Sequence, residues 1–432
     1  MIELLLITLL GVFVGVLTGL LPALPVYTGP FLLYYFHSNF PIEHLIVFWL
    51  AVVSGSQFFG SVAVITTRIP GEESSAIYLN DLLVLDDHNK NILLYHTALG
   101  SFIAGLVAVI FTWTFINLIN INVLPTLMGA SIQLVIYTIA ILSFFFIDKR
   151  VLWTLGLITL GILIGPKNNY ALPDWWYQVQ FVFQGYTFYM IILGTLLIPE
   201  ILSITQKHPR TSSYHIDKNS KFNYFHGIKD SIIGAIVGLI PGPSASIGAT
   251  YAYRLAGNDT KQRIISAETA NNGSVISSAL PLLLLGLPIN QNTLLMSNLM
   301  DVKSIFLPEV ILEPSSVISS LTVIEVALVG LSISLVIYYM LSTHLINFYV
   351  KLVEMLHYKI KWILVGIISI LVWIDVYTSE ITISHYLTLL CFFMMIGIIL
   401  KHYRVSAIVF LFSIILSDKL IWLGIQNFKL YF

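Results

Sequence analysis

The chain has 432 residues, of which 57% are hydrophobic and only 10% charged, where an ordinary soluble domain carries about 25% charged residues. Its 21 Lys and Arg offset 22 Asp and Glu to a net charge of −1, so the basic surface that nucleic acid requires is missing. With a mean hydropathy of +0.88, the composition excludes a soluble fold and predicts an all-α polytopic membrane protein. At about 20 apolar residues per span, the length admits roughly 10–12 spanning or half-spanning helices in the bilayer.

The first apolar segment covers 3–21. Met1-Ile2-Glu3 supplies no basic n-region, so it reads as a retained helix and not a cleaved leader. Further apolar segments follow at 45–66, 96–118, 123–147, 151–165 and 177–204. The polar stretch 206–229 holds Lys207, Arg210, Lys218, Lys221 and Lys229 against Asp217, so the excess of positive charge places it in the cytoplasm. A second set lies at 230–253, 275–287, 318–341, 362–377, 382–400 and 404–423. These runs are unbroken, which argues against an outer-membrane β-barrel. Cys391, the single cysteine, excludes an internal disulfide.

The chain repeats itself. VGVLTGLLPALPVYTG (Val14–Gly29) aligns with IGAIVGLIPGPSASIG (Ile233–Gly248), matching Gly15, Gly19, Leu20, Pro22 and Gly29 to Gly234, Gly238, Leu239, Pro241 and Gly248. Pro70 pairs with Pro288 at nearly the same offset. The expected organisation is a first transmembrane repeat at 1–205, a cytoplasmic linker at 206–229 and a second repeat at 230–432. The equivalent loops at 86–91 and 301–314 differ in charge, which favours an inverted relation between the halves.

Glycine and proline interrupt the predicted helices at Gly19–Pro25, Arg68–Glu73, Gly238–Ser246 and Gly286–Asn290. Broken helices are tolerated in a membrane only inside protein or beside a watery cavity. Paired breaks at matching positions point to a transport site near the midplane. Half-helix N-termini attract anions and freed carbonyls coordinate cations. The expected substrate-binding residues are Thr67, Arg68, Pro70 and Gly71 at one break, Gly242, Ser244 and Ser246 at another, and Asn271, Asn272 and Asn290. The expected cation-binding residues are Gly19, Ser61, Glu268 and Ser278. Arg68 has two readings, a bidentate carboxylate clamp or an interfacial arginine paired with Glu72 or Glu73. Glu268 has three: cation ligand, proton carrier, or partner of Arg263.

GLIPGPSASIGATYAY, AETANNGSVISS followed by LLLGLPIN, and RIPGEESSA resemble the large membrane subunit (TctA type) of the tripartite tricarboxylate transporters. Pro241-Gly242, Pro70-Gly71-Glu72, Glu268-Ala270-Asn271-Asn272 and Gly286-Pro288 fall on that family's motifs, in order through both halves. The resemblance implies a secondary transporter in the cytoplasmic (inner) membrane that moves small organic anions, coupled to Na⁺ or H⁺. It further implies two partners, an extracytoplasmic solute-binding protein and a small membrane subunit. Ala23-Leu24, Arg68, Ser244 and Ile289-Asn290 depart from the family pattern at helix breaks, where substrate contacts lie, so a tricarboxylate substrate is implied by the family alone.

The competing expectation is an intramembrane enzyme of the polyprenyl-linked glycan polymerase or ligase type. Such enzymes carry a long polar external loop with Arg and His; here the histidines are scattered, and no nucleophile with a base is identifiable.

Overall fold

The computed structural model describes residues 2–20, 41–67, 73–118, 130–147, 150–165, 178, 182–183, 186, 188–203, 221–242, 244–285, 289–290, 292–293, 296–297, 314–344, 348, 351, 359–378, 381–403, 405, 409–411 and 413–414. The regular elements among them are all helical. In chain order they are α1 (Ile2–Leu20), α2 (Ile42–Thr67), a 3₁₀ segment (Glu73–Tyr78), α3 (Leu79–Val84), α4 (Asp87–Leu118), α5 (Ala130–Ile147) and α6 (Val151–Ile164). There follow α7 (Phe188–Ile192), a π-helical turn (Leu193–Leu197), α8 (Ile198–Ser203), α9 (Tyr224–Val237), α10 (Ser244–Leu255) and α11 (Thr260–Ser277). The remainder are α12 (Ala279–Leu285), α13 (Pro314–His344), α14 (Ile360–Thr378) and α15 (Ile383–His402). Stretches of α1, α2, α4, α13 and α15 are long and apolar enough to cross a membrane. The chain is an all-α membrane protein.

Two compact units form, Met1–Met128 with His208–Leu356, and Gly129–Lys207 with His357–Phe432. Each takes residues from both sides of the 206–229 stretch.

In the first unit α2 is the apolar centre: 94% of its spanning stretch is buried, so protein and not lipid surrounds it. α1 lies against it in parallel. A Cβ at Gly11 would fall 2.8 Å from Ala51 Cβ, at Gly15 3.0 Å from the Val52 carbonyl oxygen, and at Gly19 2.7 Å from Phe59 Cβ. These glycines recur every fourth residue and let the backbones touch, as small residues do at membrane helix crossings. Tyr338 of α13 closes the same seam, its hydroxyl donating to the Ala51 carbonyl at 2.7 Å.

A second seam joins α9 and α11, also in parallel. Side chains at Gly234 and Gly238 would collide with the backbone of Ala270 and Ser274, and Ser274 Oγ donates to the Gly234 carbonyl at 3.0 Å. Between them α10 packs on α11, Gly248 facing Ser274 and Ala270. At 1.5 Å per residue, α9 and α10 reach about 21 and 18 Å, short of the roughly 30 Å apolar core of a bilayer. They form a helical hairpin whose tip falls within the predicted break at Gly238–Ser246. Asn223 caps α9, accepting from the His226 N–H, and Asp259 caps α11, accepting from the Lys261 N–H.

In the second unit, α15 packs on the π turn between α7 and α8. Pro199 has no N–H to offer the Thr195 carbonyl, which explains the widened turn, and that carbonyl rests against Gly397. Tyr386 of α15 donates to the buried Asp375 of α14 at 2.7 Å.

Candidate functional site

The least apolar of the long helices is nevertheless largely enclosed. Every residue of α11 from Ile264 to Ser277 is buried, including Ser266, Glu268, Thr269, Asn271, Asn272, Ser274 and Ser277. Buried polar groups are costly unless paired, so the partners of this helix define the site. They come from far along the chain. Asn271 Nδ2 donates to Gln57 Oε1 of α2 at 2.7 Å. Asn272 Nδ2 donates to Ser101 Oγ of α4 at 3.1 Å and to the Glu268 carbonyl at 2.8 Å. Tyr78, at the end of the 3₁₀ segment, donates its hydroxyl to Glu268 Oε1. Two oxygens on the helix, Asn271 Oδ1 and Thr269 Oγ1, are buried without a hydrogen-bond partner among the described residues.

Arg263, the predicted partner in one of the three readings of Glu268, contacts Asp81 and Tyr253. Its Nη1 lies 3.9 Å from Asp81 Oδ2, and its guanidinium sits 3.9 Å over the Tyr253 ring. Tyr253 in turn donates to Asp81 at 2.7 Å. This triad ties α3 to α10 and α11.

A second polar cluster joins the two breaks around α10 and α12. Gly242 has φ +111°, a backbone conformation that favours glycine, and its N–H donates to the Ile289 carbonyl at 2.7 Å. Ser244, buried at the first turn of α10, accepts from Asn290 Nδ2 at 3.4 Å. Asn290 and Thr293 exchange bonds of 3.0 Å between backbone N–H and side-chain oxygen. Ser246, in the same first turn, is half-buried, and its carbonyl accepts from Thr250 Oγ1.

Ser61 bonds to the Phe58 carbonyl at 2.8 Å and Ser278 to the Val275 carbonyl at 2.7 Å, each within its own stretch of helix. Gly19 faces α2 at the close crossing. Thr67 is the last residue of α2, and its side chain, with all of Arg68, Pro70 and Gly71, lies outside the described residues. Sequence reasoning missed Tyr78, Ser101, Thr293 and the Asp81–Tyr253–Arg263 triad; none carries a local signal, because each acquires its role from a distant helix. Among the described residues no group of three His, Cys, Asp or Glu side chains gathers as a metal centre.

An enclosed polar helix, hydrogen-bonded to neighbouring helices and flanked by a tied helix break, thus lies within the first unit of this membrane protein. The chain belongs to the tripartite tricarboxylate transporter TctA family, whose family model matches residues 5–412. It is also similar to an uncharacterized 52.8 kDa protein in the TAR-I ttuC' 3' region of Agrobacterium vitis, with 28% identity over 309 residues. That match takes in 64% of this chain and 60% of the relative, so the chain spans about three fifths of the curated relative. No solved structure matches it.

Proposed function

We propose that the chain is the large permease subunit of a secondary carrier that moves small organic anions, di- or tricarboxylates, across the cytoplasmic membrane. The observation that carries this reading is the buried α11, with Asn271 Oδ1 and Thr269 Oγ1 lacking partners. Polar groups stranded in a membrane are costly; in this reading the coupling cation meets the acceptor Asn271 Oδ1, and a substrate carboxylate accepts from the Thr269 hydroxyl. In this reading substrate carboxylates meet Asn271, Asn272 and Asn290, the N-terminal turn of α10 at Gly242, Ser244 and Ser246, and Thr67, Arg68, Pro70 and Gly71 of the first-half break. Glu268 holds the coupling Na⁺ or H⁺, with Ser61, Ser278 and the Gly19 carbonyl as further candidate ligands.

The duplicated organisation, 1–205 and 230–432 about the 206–229 linker, is supported by the recurring parallel glycine seams of α1 on α2 and α9 on α11. An inverted relation between the halves rests on loop charge. Family membership supports a solute-binding protein and a small membrane subunit as partners, and transport in place of catalysis.

The test is a thermal-shift titration of purified protein with mono-, di- and tricarboxylates, in Na⁺ and in K⁺. A bound carboxylate at a hundredfold excess over its Kd stabilises by about 2.7 kcal/mol. Stabilisation by one acid class only in Na⁺ is the expected result. No shift with any acid, for the chain alone and for the chain with its small subunit, would sink the reading.

A further inference from the structure

Outside the amide cluster, one buried carboxylate has no part in the site. Asp230 lies on the second turn of α9 with its side chain 1% exposed, and neither carboxylate oxygen has a well-formed hydrogen bond among the described residues. Two polar groups face it: the Ser266 hydroxyl of α11 and the Lys229 ammonium, 3.3 Å from Oδ1. One turn earlier, His226 has a buried Nδ1 that is also without a partner. Gln262, one turn before Ser266, donates to the Ser266 oxygen at 3.2 Å, leaving that hydroxyl free to turn towards Asp230.

The position is as telling as the partners. On α9 the close contact with α11 runs through Gly234 and Gly238, and Asp230 is the preceding member of that four-residue series. On α1 the same place, four residues before Gly15, is Gly11, pressed against Ala51. A carboxylate has replaced a contact glycine in one seam only. Packing does not call for it, and a buried carboxylate is unfavourable unless it keeps a positive charge beside it.

We propose that Asp230 and the Ser266 hydroxyl form a monovalent-cation site, with Na⁺ as its ligand, and that the Lys229 ammonium is a tethered cation that competes for it. Carboxylate and hydroxyl oxygens are the hard donors an alkali cation prefers. Exchanging one ammonium for one monovalent ion keeps the buried charge at zero, whereas a divalent ion would leave a positive excess. Lys229 is 29% exposed on a flexible stem, so it can withdraw to solvent when the ion enters. The inference rests on the reading of the chain as a cation-coupled carrier and adds a cation position apart from Glu268.

The experiment follows the melting temperature of the full chain against NaCl, replaced by choline chloride at constant ionic strength and pH, with no organic anion present. Lys229→Gln removes the competitor and is expected to lower the half-saturating Na⁺ concentration by about tenfold. Adding Asp230→Asn is expected to cancel that gain. A Lys229→Gln protein that titrates like the wild type overturns the site, and it does so even if the double variant fails to fold. A gain that survives Asp230→Asn, or a midpoint that follows pH and not Na⁺, overturns it equally. Because no carboxylate enters the assay, a failure of the anion-carrier reading leaves these outcomes unchanged and is told apart from a failure here.

Discussion

Asn271 is held at one end only. Its amide nitrogen is bonded to Gln57 while its oxygen has no partner, so substitution acts on stability and on ligand response together. Asn271→Ala removes the donor that Gln57 Oε1 accepts from and is expected to cost about 1–3 kcal/mol. It should also abolish the thermal shift produced by a carboxylate; a variant that melts lower yet keeps the full shift would remove Asn271 from the site. Tyr78→Phe deletes the hydroxyl that Glu268 accepts from and is expected to destabilise by about 1–3 kcal/mol. Under the proposed role of Glu268, the same variant changes the Na⁺ or pH dependence of uptake, and an unchanged dependence would separate Glu268 from coupling. The Asn271-Asn272 pair was legible in the sequence because adjacent amides in an apolar chain need a reason. Tyr78 and Ser101 were not, since the contacts that give them meaning span much of the chain.

At the scale of elements, hydropathy found the long apolar helices and passed over the one that organises the site. Residues 254–274 lie between the predicted segments at 230–253 and 275–287, yet they contain most of α11, buried from Ile264 onward. Apolar scanning equates burial with hydrophobicity, and here burial is achieved by pairing polar groups and by glycine contacts. The break between α9 and α10 was readable because Gly and Pro act locally; the parallel seams were not, because each needs two helices. Those seams give a contrast in substitution. A methyl at Gly234 meets the Ala270 backbone, which cannot yield, whereas a Cβ at Gly156 meets nothing within 4 Å. Gly234→Ala is therefore expected to lose at least about 1–3 kcal/mol as an overpacked contact. Gly156→Ala is expected to gain up to about 1 kcal/mol from helix propensity. Denaturation in detergent compares the two, and equal effects would contradict the close crossing.

For the whole molecule, the open question is which side of the membrane each loop faces, and the single cysteine makes it measurable. Cys391 is exposed on α15, so Cys391→Ser should change stability by no more than about 0.5 kcal/mol. In that background Ser213→Cys marks the 206–229 stretch. A membrane-impermeant maleimide is expected to label it in inside-out vesicles and not in right-side-out ones; the reverse pattern would overturn the cytoplasmic assignment.

The bond from Gly242 to Ile289 bears on how such a molecule moves. It joins the two helix interruptions of the second half through main-chain atoms, which no side-chain substitution can take away. Separating them would leave an amide and a carbonyl unpaired in a buried position, which is costly. The two interruptions therefore behave as one joint, and a rearrangement that changes access to the site carries both together or finds a replacement oxygen for that amide.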